Sequence, residues 1–418
     1  NKCSMAPKSS FVLKDSPPAV RASVGVKPKG RSYCGHHSQR PGGIKVEELV
    51  LGMKLASLAI TDDKPDTLKK TSATNPWQEE ALTMITGSKT EAHKTLTELL
   101  YRYFNLTLDR HIDVTGIHRG RALDTQGYIA HNNEIIVLAY RCTTSVLDWI
   151  TNLSTTTSEW EPEIDIDLGH AGYCSCLMGH NLCGGGDVQK KPRVHTGFYN
   201  NFLHTCPLIK MHIESLLGPD QPPRKLYVVG HSLGAGIAQL AASYFLLNFD
   251  WELIPQKLIC VTAGAPRACL KSMQTVVHNR LRELEMMDKA SFCRIVLNED
   301  LVTKVPPNII GFAHLDNLVY ITEEGEILIK PDIDATDVDA KEIEEAYKEA
   351  YIEEKKSDEL PERSNFSQIA ERKNEKYLKL LKLVPGALKD HMPDFYLKPL
   401  VRLFEREKAG ATMTTKHN

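Results

Sequence analysis

The stretch Lys225-Leu226-Tyr227-Val228-Val229-Gly230-His231-Ser232-Leu233-Gly234-Ala235-Gly236-Ile237-Ala238 decides how this chain is read. Leu226 to Val229 form an apolar run of strand character that ends at a glycine, and Ala235, Gly236, Ile237, Ala238 and Leu240 open a helix. Between them stands Gly230-His231-Ser232-Leu233-Gly234, a G-x-S-x-G string. By itself the string is weak, since it arises by chance in roughly one chain in ten of this composition. Placed between a strand and a helix it is specific. A sharp strand-to-helix turn forces the serine into strained backbone angles, and only small residues two before and two after it avoid a clash. Gly230 and Gly234 occupy those positions. The turn lifts the Ser232 hydroxyl to the carboxyl edge of a sheet and aims a helix N-terminus at whatever reacts there. The bland alternative is a glycine-rich turn with a serine N-cap.

Working outward, Gln126 to Ala130 and Glu134 to Arg141 read as a hairpin around Asn132-Asn133, the second strand carrying the continuous run Ile135-Ile136-Val137-Leu138. Leu258 to Ala263 and Cys293 to Leu297 read as further buried strands, separated by segments long enough for helices. A last hairpin spans Leu318 to Thr322 and Glu326 to Ile329 around Gly325. Strands alternating with helices predict an α/β fold with a central, mostly parallel sheet flanked by helices. From Val46 to Asn105 the period is helical, with Leu82, Ile85, Leu96, Leu99 and Leu100 at helical intervals and Pro76-Trp77 marking a start. There is no internal repeat.

A serine is a poor nucleophile without a base, and the base needs an acid to hold its tautomer. Glu299 and Asp300, just past the strand ending at Leu297, fall on the sheet edge that carries Ser232. Two histidines lie downstream. His314 precedes the last hairpin, His391 stands in Lys389-Asp390-His391-Met392-Pro393-Asp394-Phe395-Tyr396, and spacing alone leaves both open.

The 418 residues carry 51 Lys and Arg against 53 Asp and Glu, a net charge of −2, with 42% hydrophobic and 25% charged residues. That is the composition of a globular enzyme and argues against nucleic-acid binding. The balance hides two opposed blocks. Residues 1–45 hold nine Lys and Arg against the single Asp15, a charge of +8, while residues 331–360 hold twelve acids against four lysines, a charge of −8. The basic lead has no apolar period. It fits a disordered tail, an organelle-targeting segment or a docking arm for anionic membranes. The acidic block fits a solvated insertion. No stretch reaches the roughly 18 to 20 apolar residues of a membrane span, so contact with a membrane or a lipid droplet would be peripheral. The domain limits read as a lead over 1–45 and one domain over 46–410, with insertions at 160–190 and 331–385.

From about Thr115 to Tyr396, with interruptions, the chain resembles the class 3 lipases, fungal-lipase-like α/β-hydrolases that include sn-1-specific diacylglycerol lipases. The resemblance is carried by Tyr140-Arg141-Cys142-Thr143, Val194-His195-Thr196-Gly197-Phe198, the Ser232 string, Gly264-Ala265-Pro266-Arg267, Asn298-Glu299-Asp300-Leu301-Val302 with Pro306-Pro307, and Asp390-His391 followed by Phe395 and Tyr396. It implies that Ser232 attacks a lipid ester, Asp300 orients the base, and His391 is the base, with His314 at a structural position. It also implies an oxyanion hole from the backbone N–H groups of Leu233 and Thr143, and requires no metal or organic cofactor. Where the family has Arg-Gly-Thr/Ser, this chain has Cys142 in place of the glycine. Ser145-Val146-Leu147-Asp148-Trp149-Ile150 matches the family's lid, with Val146, Trp149 and Ile150 on one helical face; a core helix turn is the plain alternative.

The insertion after Asn152 holds Cys174, Cys176 and Cys183, with free thiols, a disulfide and a metal all open, although C-x-C plus a third Cys is not a zinc-finger spacing. The expected activity is hydrolysis of acylglycerol esters. Phospholipid and galactolipid hydrolases share the motifs, acyl transfer to an alcohol would use the same residues, and a catalytically silent signalling scaffold is the alternative of another class.

Overall fold

The computed structural model describes residues 31–32, 45–61, 76–118, 121–142, 155–161, 191–218, 220–249, 251, 256–298, 300–315, 317–330 and 389–415. In chain order the strands are β1 (Arg31–Ser32), β2 (Thr107–His118), β3 (Arg121–His131), β4 (Ile135–Tyr140), β5 (Thr157–Glu159), β6 (Arg193–His195), β7 (Lys225–His231), β8 (Lys257–Ala263), β9 (Cys269–Leu270), β10 (Ala290–Leu297), β11 (Phe312–Ala313), β12 (Asn317–Ile321) and β13 (Ile327–Lys330). The helices are α1 (Val46–Leu58), α2 (Pro76–Thr86), α3 (Leu96–Phe104), α4 (Thr196–Leu216), α5 (Leu233–Asn248), α6 (Lys271–Met286) and α7 (Pro393–Thr415).

Among the described residues the main sheet has nine strands, ordered β1-β13-β12-β10-β8-β7-β4-β3-β2. Its centre, β4, β7, β8, β10 and β12, is parallel throughout. Both flanks are antiparallel, β2-β3-β4 on one side and β12-β13-β1 on the other, so the sheet is mixed rather than uniformly parallel. The parallel strands are apolar at nearly every position because both faces are covered. In β7, Leu226 and Val228 join one core and Tyr227 and Val229 the other; in β8, Leu258 and Cys260 alternate with Ile259 and Val261 in the same way. The first core is closed by α4, α5 and α6 through Phe198, Phe202, Ile237, Leu240 and Met273. The second is closed by α1, α2, α3 and α7 through Leu49, Met53, Leu82, Leu99 and Leu400. This is the architecture of an α/β-hydrolase.

Some elements lie outside the sequence-based expectation. Arg31 and Ser32, inside the basic lead, pair with Ile329 and Leu328 at the sheet edge. A second, four-stranded sheet, β11-β9-β6-β5, has strands of only two or three residues. The calls on the rest of the lead, on residues 162–190 and on the acidic block through residue 388 fall outside the described residues.

Helix α1 sits on β7 and β8 with a buried carboxylate at its first turn. Glu48 caps Lys45 N at 3.1 Å and lies 3.0 Å from Lys225 Nζ and 3.8 Å from Lys257 Nζ. Further along, Tyr128 Oη donates to Leu55 O at 2.8 Å. The approach of helix to strand is closest at Gly52, where a Cβ would stand 2.7 Å from Val261 Cβ. Replacing Gly52 by Val is therefore expected to lower unfolding free energy by about 1–3 kcal/mol through overpacking, read as a lower urea midpoint; an unchanged midpoint would mean that α1 does not bear on β8.

Candidate active site

The turn from β7 into α5 is as tight as the sequence implied. Ser232 has φ 58° and ψ −126°, a backbone region that costs a side-chain-bearing residue about 1–3 kcal/mol. A Cβ on Gly230 would meet Gly234 O at 2.4 Å, and one on Gly234 would meet Tyr140 O at the same distance, so both glycines exist to let backbones touch. Ser232 N donates to Ala263 O at 3.0 Å, tying the elbow to the end of β8. Leu233 is the first residue of α5, where helix N–H groups have no intrahelical acceptor. Ile237, Leu240 and Leu246 are buried in the first core rather than lining an open acyl groove.

Beside the elbow, Asp300 leaves β10 and caps the short 3-10 turn Leu301–Lys304 by accepting from Val302 N at 2.9 Å. Its Oδ2 lies 2.8 Å from His391 Nδ1 and accepts from Tyr396 Oη at 2.5 Å, and all three residues are fully buried. Burial alone would raise the Asp300 carboxyl, but the His391 imidazole and the bonds from His391, Tyr396 and Val302 hold it below its ordinary value. Tyr396 is driven the other way, by burial first and then by the Asp300 charge, and stays a donor. An ionised carboxylate only accepts, so Nδ1 of His391 carries the proton of that bond and Nε2 is the ring nitrogen left over. That Nε2 and Ser232 Oγ are both buried with no hydrogen-bond partner.

Gly264, at φ 56°, ends β8 against this pair. A Cβ there would lie 2.8 Å from His391 Cε1 and 2.9 Å from Asp300 Oδ2. His314 is elsewhere engaged, its Nε2 donating to Thr303 O at 2.9 Å, with burial first and then Arg294 and Arg267 holding it neutral. The described site thus brings together Ser232, Leu233, Asp300 and His391 and leaves His314 apart. Thr143, Val146, Trp149, Ile150, Cys174, Cys176, Cys183 and Glu299 lie outside the described residues. Cys142 is buried and its thiol is pushed up to about 11 by burial, which keeps it protonated. Among the described residues no cluster of three or more His, Cys, Asp or Glu is placed to hold a metal ion. Sequence reasoning assigned no part to Tyr396, Gly264 or His231. All three stand in the strings that carry the resemblance, but their contacts reach residues distant in sequence.

A family model described as lipase (class 3) matches residues 137–309, the span from β4 through the Ser232 elbow and Asp300. Over this span the chain is similar to the class 3 lipases. The chain is 27% identical over 200 residues to secreted mono- and diacylglycerol lipase 2 of Gibberella zeae, covering 47% of the chain and 46% of that protein. It is 28% identical over 189 residues to phospholipase A(1) DAD1, chloroplastic, of Arabidopsis thaliana, covering 44% of the chain and 36% of that protein. The chain therefore spans less than half the length of these curated relatives. A solved structure of Rhizomucor miehei triacylglyceride lipase superposes with a TM-score of 0.46 at 18% identity, covering 69% of this chain and 85% of that one.

His231 gives the site a measurable pH signature. Its Nε2 donates to His391 O at 2.8 Å, and burial, then the neighbouring His391, lower its pKa to about 3. A folded-state value below the unfolded one means that unfolding takes up a proton between them. The stability contributed is complete above about 6.5 and is lost as pH falls toward about 3. Urea unfolding between pH 7 and pH 4 is expected to show H231Q losing stability less steeply than wild type, by up to about 1.4 kcal/mol per pH unit. Parallel slopes would show that His231 takes up its proton at the same pH in the folded protein as in the unfolded chain.

Proposed function

We propose that this protein is a class 3 lipase that hydrolyses carboxylic esters of lipids, with Ser232 as nucleophile, His391 as general base and acid, and Asp300 as the group that orients and stabilises His391. One observation carries the reading: at the elbow a strained serine sits on the same sheet edge as a buried histidine already held by a carboxylate. Ser232 Oγ attacks the ester carbonyl carbon as its proton passes to His391 Nε2. The oxyanion that forms is met by the backbone N–H of Leu233 at the start of α5 and, by its place in the sequence, that of Thr143. Collapse expels the alcohol, which takes the proton from His391, and water repeats the sequence on the acyl-enzyme. The imidazolium that appears twice in this cycle is stabilised by a carboxylate held ionised by three donors.

The matched mono- and diacylglycerol lipase favours an acylglycerol as substrate. The matched phospholipase A(1) favours a second reading, a phospholipid ester attacked by the same residues. In either case the substrate is presented at an interface, and no described helix is long and apolar enough to cross a membrane.

The test is a fluorophosphonate probe combined with a panel of acylglycerols and phospholipids assayed above and below the concentration at which each aggregates. S232A is expected to lose both labelling and hydrolysis. H391A is expected to lose about 10⁶-fold in kcat, while H314Q, which keeps a donor for Thr303 O, stays within a few-fold of wild type. Loss of hydrolysis in H314Q with H391A still active would reverse the assignment, and wild-type protein that takes up no probe would point to a scaffold.

A further inference from the structure

We propose that Asn298 is a positioning residue that sets where His391 sits on Asp300, by holding the carboxylate of the residue just before that histidine. The inference rests on the roles given above to Ser232, Asp300 and His391. Asn298 Nδ2 donates to Asp390 Oδ2 at 2.9 Å, across 92 residues of sequence. Asn298 stands two residues before Asp300, in the turn that leaves β10, with φ 42°. Its own N–H donates to Ile321 O at 2.7 Å, so the turn is fastened to the end of β12. One turn therefore grips two consecutive residues of the segment carrying the base: Asn298 takes Asp390 and Asp300 takes His391.

The need for a second grip follows from geometry. Residues 331–388 separate β13 from this segment, so its placement cannot be inherited from the preceding strand. The bond from His391 Nδ1 to Asp300 Oδ2 fixes the ring at one point, and the backbone that carries the ring has a freedom of its own. The Asn298 contact, one residue away on the backbone, removes that freedom, and the bond from His231 Nε2 to His391 O fixes the orientation of the peptide. An amide donating to a carboxylate is roughly twice as strong as a neutral pair. Misplacement of a catalytic group by about 1 Å costs about 100-fold in rate. Asparagine also suits the backbone here, because the left-handed region is open to Gly, Asn and Asp and strained for most other residues.

That tolerance supplies clean variants. N298G keeps the backbone conformation and removes the amide, N298D sets two carboxylates against each other, and N298D/D390N exchanges donor and acceptor across the same contact. Assayed as the full chain on p-nitrophenyl butyrate, N298G is expected to lose about 10-fold in kcat and N298D about 100-fold, with KM within about twofold. The exchange double variant is expected to return to within about threefold of wild type. A bond that only stabilises the fold would lower the melting temperature and leave kcat alone, so kcat unchanged in N298G and N298D overturns the proposal. A second measurement does not depend on hydrolysis. In protein labelled with ¹⁵N-histidine, the His391 ring resonances are expected to shift in N298G and N298D and to return in the double variant. Wild-type protein that hydrolyses nothing and takes up no fluorophosphonate would remove the proposed function, yet the resonances would still decide the grip; ring resonances unmoved by either single variant overturn it.

Discussion

Everything at this site depends on how closely three pieces of backbone approach at the serine elbow. Gly230 lies against the carbonyl of Gly234, and Gly234 lies against the carbonyls of Tyr140 and Arg141 at the end of β4. No side chain larger than hydrogen fits at either position, so the end of β4, the end of β7 and the start of α5 form one joint. The strain at Ser232, about 1–3 kcal/mol, persists because burial of α5 from Gly234 to Leu246 against the sheet outweighs it. The joint sets the edge on which every other group must arrive, and β8 and β10 deliver Gly264 and Asp300 to it.

Asp300 is the second fixed point. A fully buried carboxylate is expensive unless its acceptor sites are filled, and here they are filled by Val302 N, His391 Nδ1 and Tyr396 Oη. The pairing couples α7, which supplies Tyr396 and follows His391, to β10. It also explains the glycine at 264, since a methyl group there would occupy the space of the imidazole and the carboxylate together.

How much of this was legible follows from the range over which each feature is encoded. The elbow could be read because its glycine spacing, its strand and its helix are local. The parallel centre could be read because strands covered on both faces are written as continuous apolar runs, as in Ile259 to Val261. The strand β2 escaped because its alternation is interrupted by a register shift between Leu108 and Arg110. The small sheet escaped because strands of two or three residues are too short to show a period. At the site, the residue types and order of Ser232, Asp300 and His391 were visible, but the contacts between them were not. Asn298 meets Asp390 across 92 residues and His231 meets His391 across 160, and nothing in either neighbourhood announces the other.

The order in which the chain delivers these groups has a consequence for how the molecule is made. The serine and the carboxylate follow β7 and β10, and β7, β8, β10 and β12 succeed one another through connections of fewer than 30 residues. The imidazole arrives on the short turn Lys389–His391 just before α7, which packs against α1 and α2 only once residues far apart in sequence have met. Long-range contacts of this kind form late in folding, and synthesis proceeds from the N-terminus. With the roles proposed for Ser232 and His391, a chain whose sheet is complete but whose α7 is undocked would hold the serine without its base. The docking of that helix is then the event that would complete the proposed site, which separates the acquisition of a fold from the completion of the machinery it carries.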